Sequence, residues 1–280
     1  MISFNGNEQE VIKSLEDTSN KYQIVIDDFN KQNHKINDLD PELKDYLRKS
    51  FIKMIDLFAS SFKLLGGVCP YPNESKIIIR SMYEHYITFL YILEGDEKNR
   101  KNKIERFFDY QKKVSPFSLL YREYDSLKND KKNEYFQMIE KEIERYEVKK
   151  HINDFKNKYN IPKTDKYSIN YWSGKSFKKI FYYLFEQTKQ ENPIYFYRIY
   201  SYLCEYTHSN ALYYYDEDKK EYTNKPKVKD VILCLVYMNL FFSQFLTNFY
   251  TFTQMDWDSN VKINYSDKFN EIIKKYDIKF

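Results

Sequence analysis

The sequence predicts an all-α protein: a single bundle of about eight or nine helices, with a long apolar helix near the C-terminus at its core. Three observations point there. In 280 residues there are only 5 glycines and 7 prolines, and they fall between periodic segments rather than inside them. Apolar residues recur at helical rather than alternating spacing through most of the chain. From Val231 to Met255 no residue carries a formal charge, far longer than a strand would run.

In chain order, Glu8 to about Gln32 carries a loose apolar stripe through Val11, Leu15, Val25 and Phe29 and reads as one helix. Asp40-Pro41 is a start signal, a capping side chain followed by a proline whose missing N–H costs nothing in the first turn. The periodic run from Leu43 to Leu65 follows and ends at Gly66-Gly67, with Pro70 and Pro72 barring continuation. From about Glu74 to Leu93 the chain is apolar or aromatic almost all round. Between Lys76 and Glu94 only Arg80 and Glu84 are formally charged, so this helix is expected to be buried.

Residues 97–160 change character. Lysine and glutamate dominate, and charged outer amphipathic helices are expected: about Glu97–Val114, a short one after Pro116, then a long one over Lys131–Tyr159. No linker composition marks a boundary, so residues 1–280 read as one domain. Asn160 to Lys175 reads as a loop, and Ser176 as the cap of a helix running to about Thr188. Pro193 opens a helix over Tyr195–Asn210, and a polar, tyrosine-rich loop follows up to Pro226. The Val231–Met255 helix could span a bilayer by length. Asn239, Ser243, Thr247, Thr251 and Gln254 form a polar row along it, which lipid tolerates only against other helices. A core helix is therefore expected and a membrane span is the lesser alternative. The tail from Trp257 reads as short and mixed.

Charge and cysteines bound the function classes. The 45 basic and 41 acidic residues leave a net charge of +4, less lopsided than a protein built to coat nucleic acid. Cys69, Cys204 and Cys234 share no metal or CxxC spacing. With no signal-peptide pattern in MISFNGNEQE, a reducing, cytoplasmic setting is expected. No cofactor motif appears. Lys175-Ser176 after Gly174 suggests a phosphate loop, but the position that would need the earlier glycine is Ile169.

The residues that could carry chemistry are few. Arg80 and Glu84 stand one turn apart on the greasy helix, where an ion must be paired or line a cleft. Arginine would be an anion-binding fork and glutamate an orienting or acid–base group. Tyr200, Cys204 and His208 form an i, i+4 row. His208, near a helix end, is the candidate acid–base group, with His85 as the alternative. Trp172 and Lys175 mark a turn before a helix start. Arg80 to His85 and Arg145 to His151 match an Arg-x4–6-His spacing, a pattern loose enough to arise by chance.

Three segments together resemble an uncharacterised bacterial all-helical family of unknown function: Arg80-Ser-Met-Tyr-Glu84, Trp172-Ser-Gly174, and Tyr200-x-x-Leu203-x-x-x-x-His208. The Arg-x4–6-His spacing resembles the signature of the HEPN helical superfamily, many of whose members cut RNA in defence or toxin roles. The resemblances imply that Arg80, Glu84, Trp172, Tyr200 and His208 are the positions to watch. This chain has Cys204 where a serine is expected. The implied function is a metal-independent ribonuclease or RNA-binding protein. The alternative is a non-catalytic helical module for a nucleotide, peptide or protein partner, with a homodimer as one assembly.

Overall fold

The computed structural model describes residues 6–66, 70–127, 134–161, 172–188, 198–204, 214–216, 221–223, 228–256 and 261–278. These residues are helical apart from short connections and one small hairpin, so the all-α class holds. The chain divides into two compact units, one formed by Met1–Leu90 with Glu191–Phe280, the other by Tyr91–Gln190.

In the first unit, α1 (Glu8–Ser19) and α2 (Tyr22–Gln32) replace the single helix expected there. The break coincides with local competition. Thr18 and Ser19 turn their hydroxyls back onto the carbonyls of Ser14 and Leu15, a competition that weakens and bends a helix where it already nears its end. Asn7 caps α1 from its side chain. In α3 (Pro41–Leu65), Asp40 accepts from the amides of Glu42 and Leu43, and Gly66 follows the last turn. Next comes α4 (Pro72–Leu93).

The second unit holds α5 (Glu97–Lys113), α6 (Ser118–Leu127), α7 (Glu134–Arg145), α8 (Val148–Lys158) and α9 (Phe177–Thr188). The long helix expected over Lys131–Tyr159 is thus two, because Glu147 adopts φ 49°, a left-handed turn that no α-helix continues through. These breaks give more helices than the eight or nine expected. Lys158 clamps α8 to α5 by reaching Glu105 and Asp109, both at 2.7 Å.

Back in the first unit, residues 198–204 are helical (α10), and the rest of the expected Tyr195–Asn210 helix lies outside the described residues. The loop expected before Pro226 contains a two-stranded antiparallel hairpin instead, Tyr214–Asp216 with Glu221–Thr223. Tyrosine and threonine suit a pleated ladder. Then α11 (Val228–Thr253) packs on α1 and α3. The tail is more regular than expected: a π-helical stretch, Lys262–Asp267, runs into α12 (Lys268–Lys275). Val261, Tyr265, Phe269, Ile272 and Tyr276 are buried along it.

The long helix is central. Its most apolar 18-residue window is 72% buried within the protein. Phe241, Phe242, Phe245, Leu246 and Phe249 are all essentially inaccessible. Phe249 meets Phe29 and Phe51, and Phe242 stacks on Phe58. The polar row starts in the core and ends in solvent. Asn239 is fully buried and tied to Ser19 and Tyr265, while Thr247, Thr251 and Gln254 are exposed. Of the buried polar groups on this helix, Asn239, Tyr250 and Thr253 each have a hydrogen-bond partner, as the interior requires. One face of the helix is wet and the rest is core.

Candidate functional site

The site is built on α4. Lys76, Arg80 and Glu84 follow one another at i, i+4, i+8, which stacks them on one face of the helix. The opposite faces bury Ile79, Met82, Tyr83, Ile87 and Phe89. The helix is less completely enclosed than its composition suggests, since Ile77 is exposed.

α10 supplies the facing side chains. Arg80 Nε donates to Glu84 Oε1 at 3.0 Å, and Arg80 Nη2 donates to the Tyr200 hydroxyl at 3.3 Å. The Tyr200 hydroxyl donates in turn to Glu84 Oε1 at 3.0 Å. The guanidinium carbon also lies 5.4 Å from the Tyr200 ring centroid, within cation–π range. Three groups thus close a triangle of hydrogen bonds. The triangle is not sealed, because the Arg80 and Glu84 side chains keep 24% and 37% of their surface exposed.

Electrostatics follow from that geometry. Partial burial works against the Arg80 charge, but the Glu84 carboxylate, Tyr200 and Cys204 more than offset it and raise its pKa. Burial pushes the Tyr200 phenol well above its ordinary value; the Glu84 carboxylate adds to this, and the guanidinium partly counters it. Tyr200 therefore remains a protonated donor at neutral pH.

A second cluster continues the row. Lys76 is completely buried, and its ammonium lies 3.2 Å from Asp230 Oδ1 at the start of α11. Asn73 Oδ1 is at 3.5 Å, and the Tyr202 ring centroid at 5.1 Å. The Tyr202 hydroxyl donates to the same Asp230 oxygen at 3.4 Å. One turn on, burial pushes the Cys234 thiol up to about 12, making it an inert packing group. Sequence reasoning missed the Lys76–Asp230 pair because 154 positions separate the partners. The i, i+4, i+8 row was the available signal.

Other candidates fall elsewhere. Cys204 is half-buried and close enough to Arg80 to strengthen its charge. His85 faces α3: its Nε2 lies 2.9 Å from the Ser50 carbonyl, and its ring packs on Phe245. A carbonyl only accepts, so Nε2 carries the proton. Burial lowers the His85 pKa to about 4, with the Ser50 bond opposing, and the ring is neutral at pH 7. His208 lies outside the described residues. His151 stacks on Phe117, and Arg145 pairs with Glu142.

Trp172 and Lys175 belong to the second unit. Trp172 is buried edge-on against Tyr91 and Phe107, at 5.8 and 5.3 Å. Its turn is locked by Ser173, whose hydroxyl donates to the Lys175 carbonyl and accepts from the Lys175 amide. Gly174 has φ +71°, a left-handed turn that glycine adopts without strain. The Lys175 ammonium sits over the rings of Tyr183 and Tyr91, at 4.6 and 5.4 Å. Nearby, Lys103 donates to Glu94 and to the carbonyls of Tyr91 and Glu94. It caps the end of α4. Among the described residues no group of three or more His, Cys, Asp or Glu side chains is arranged to hold a metal ion.

A family model described as a family of unknown function, DUF5677, matches residues 44–222, more than half of the chain. That span contains the α4 row, the Trp172 turn, α10 and His208. No curated protein and no solved structure matches the chain.

Proposed function

We propose that the chain, which belongs to the DUF5677 family of unknown function, binds RNA at the Arg80–Glu84–Tyr200 cluster and cleaves it without a metal, in the manner of HEPN-like helical ribonucleases. The observation that carries this reading is the partly exposed guanidinium on an otherwise apolar helix, held by a carboxylate and a phenol. A pre-oriented arginine is the fork that phosphate recognition calls for.

In this mechanism Arg80 faces the scissile phosphate and stabilises the charge that builds on it as the 2′-oxygen attacks phosphorus. His208 takes the 2′-hydroxyl proton. The P–O5′ bond breaks, leaving a 2′,3′-cyclic phosphate, and the departing oxygen takes up a proton from water. Glu84 orients Arg80, and Tyr200 donates a hydrogen bond without titrating. His85, neutral and engaged with Ser50, takes no part.

A second reading is binding of RNA or a nucleotide without cleavage. It is favoured by the closed triangle itself, in which Glu84 already accepts from both Arg80 and Tyr200. Expression of the parent, His208→Ala and Arg80→Ala, scored for growth arrest and RNA integrity, separates the two. Cleavage predicts arrest and fragmented RNA with the parent alone. Intact RNA and equal growth in all three would remove the nuclease and leave the binder.

A further inference from the structure

We propose that Lys76 and Asp230 are positioning residues for the Arg80–Glu84–Tyr200 cluster, fixing α10 so that Tyr200 meets the α4 row; this rests on the site assigned under the proposed function. Tyr200 and Tyr202 are two residues apart, and both reach α4. Tyr200 goes to Arg80 and Glu84, while Tyr202 packs on the Lys76 ammonium and hydrogen-bonds Asp230. The two tyrosines grip two consecutive turns of one helix. A grip at one end sets the register at the other.

The ion pair suits this role better than a role in stability. Lys76 has no exposed side-chain surface, and Asp230 retains 20%. Taking an ammonium out of water is expensive, and an apolar pair of similar volume usually holds a core at least as well. What a buried pair supplies is direction, because only one arrangement satisfies it. Here it ties together three elements distant in sequence, α4, α10 and the first turn of α11. Full burial also keeps Lys76 from touching a ligand, so its effect on binding passes through its neighbours, Tyr202 among them.

The test uses the full chain with Lys76→Met and Asp230→Asn combined, which removes both charges and strands neither. The readout is the coupling between Tyr200→Phe and Glu84→Gln, measured as a double-mutant cycle of melting temperatures with and without the pair. With the pair, Tyr200→Phe alone lowers the melting temperature by about 2–4 °C. Without it, the coupling falls by more than half. A pair that merely stabilised the fold would shift every melting temperature and leave the coupling intact, and that result overturns the proposal. Should the double variant fail to fold, Lys76→Leu with Asp230→Leu removes both charges with aliphatic side chains instead, and the same two outcomes decide. Binding of a labelled single-stranded oligoribonucleotide is followed in parallel. If the parent binds no RNA, the proposed function falls while the cycle still judges the pair.

Discussion

Asn239 offers the most quantitative test of the fold. It is fully buried at the middle of α11; Oδ1 accepts from Tyr265 at 2.9 Å, and Nδ2 donates to Ser19 at 2.9 Å and to the Leu235 carbonyl at 2.7 Å. In Asn239→Leu, Ser19 keeps its bond to Leu15, and the Leu235 carbonyl belongs to a helix ladder. The Tyr265 hydroxyl, inside a side chain 1% exposed, is stranded. A stranded buried hydroxyl costs about 1–3 kcal/mol, and the added apolar burial offsets roughly 1 kcal/mol, for a net loss of about 1–2 kcal/mol. Asn239→Leu with Tyr265→Phe removes both partners and recovers most of it. Asn239→Asp places a carboxyl in the core beside a carbonyl, costing about 3–5 kcal/mol at pH 7. Burial raises the introduced carboxyl's pKa above its unfolded value near ~3.9. Its penalty is therefore complete at neutral pH and fades as the pH falls toward about 4. Urea denaturation followed by circular dichroism at pH 7 and pH 4.5 reads all three. Equal stability of parent and Asn239→Asp at both pH values would show that this face of α11 is not packed against α1 and the tail.

Other predictions follow from single contacts. His85, with its folded pKa lowered to about 4 by burial, gains no proton in the folded state as pH drops through ~6.5, whereas the unfolded chain does. The parent should lose about 3 kcal/mol relative to His85→Gln between pH 7 and 4, read by denaturant titration; a parallel decline in both proteins refutes it. Trp172→Ala should cost about 3–5 kcal/mol in the second unit, against under about 1 kcal/mol for Lys175→Ala, by thermal melts. Lys103→Met removes three hydrogen bonds at the end of α4 and should cost about 1–2 kcal/mol. Burial opposes the Glu94 charge, but hydrogen bonds from Lys103 and Tyr183 win and lower its pKa. Stability from Glu94 is thus present above the ordinary carboxylate range and lost below it; in Lys103→Met that acid-side loss should shrink.

Legibility in the sequence tracked how local the cause was. The start of α3 at Asp40-Pro41, its end at Gly66 and the cap at Ser176 are each written in adjacent residues, and they stand where they were expected. So does the central apolar helix, whose pattern runs for 26 residues. The breaks at Asn20-Lys21 and Glu147 were invisible because neither carries a glycine or proline; the first coincides with hydroxyl back-bonding and the second with one left-handed residue. The tail helix was missed although Val261, Tyr265, Phe269 and Ile272 keep helical spacing. Arg80 and Glu84 were conspicuous as the only charges on their stretch, and Tyr200 proved to share their hydrogen bonds. His85 matched a spacing but answers to Ser50 and Phe245. A spacing motif says which residues share a helix face and nothing about what that face meets.

The most direct measurement is the affinity of the full chain for a labelled single-stranded oligoribonucleotide, by fluorescence anisotropy at several salt concentrations, for the parent and Arg80→Met. Saturable, salt-sensitive binding by the parent, lost by at least about tenfold in a folded Arg80→Met, a difference near ~1.4 kcal/mol, is the predicted result. Identical curves for the two proteins, or no binding by either, would contradict the assignment of this cluster as a phosphate-recognising site.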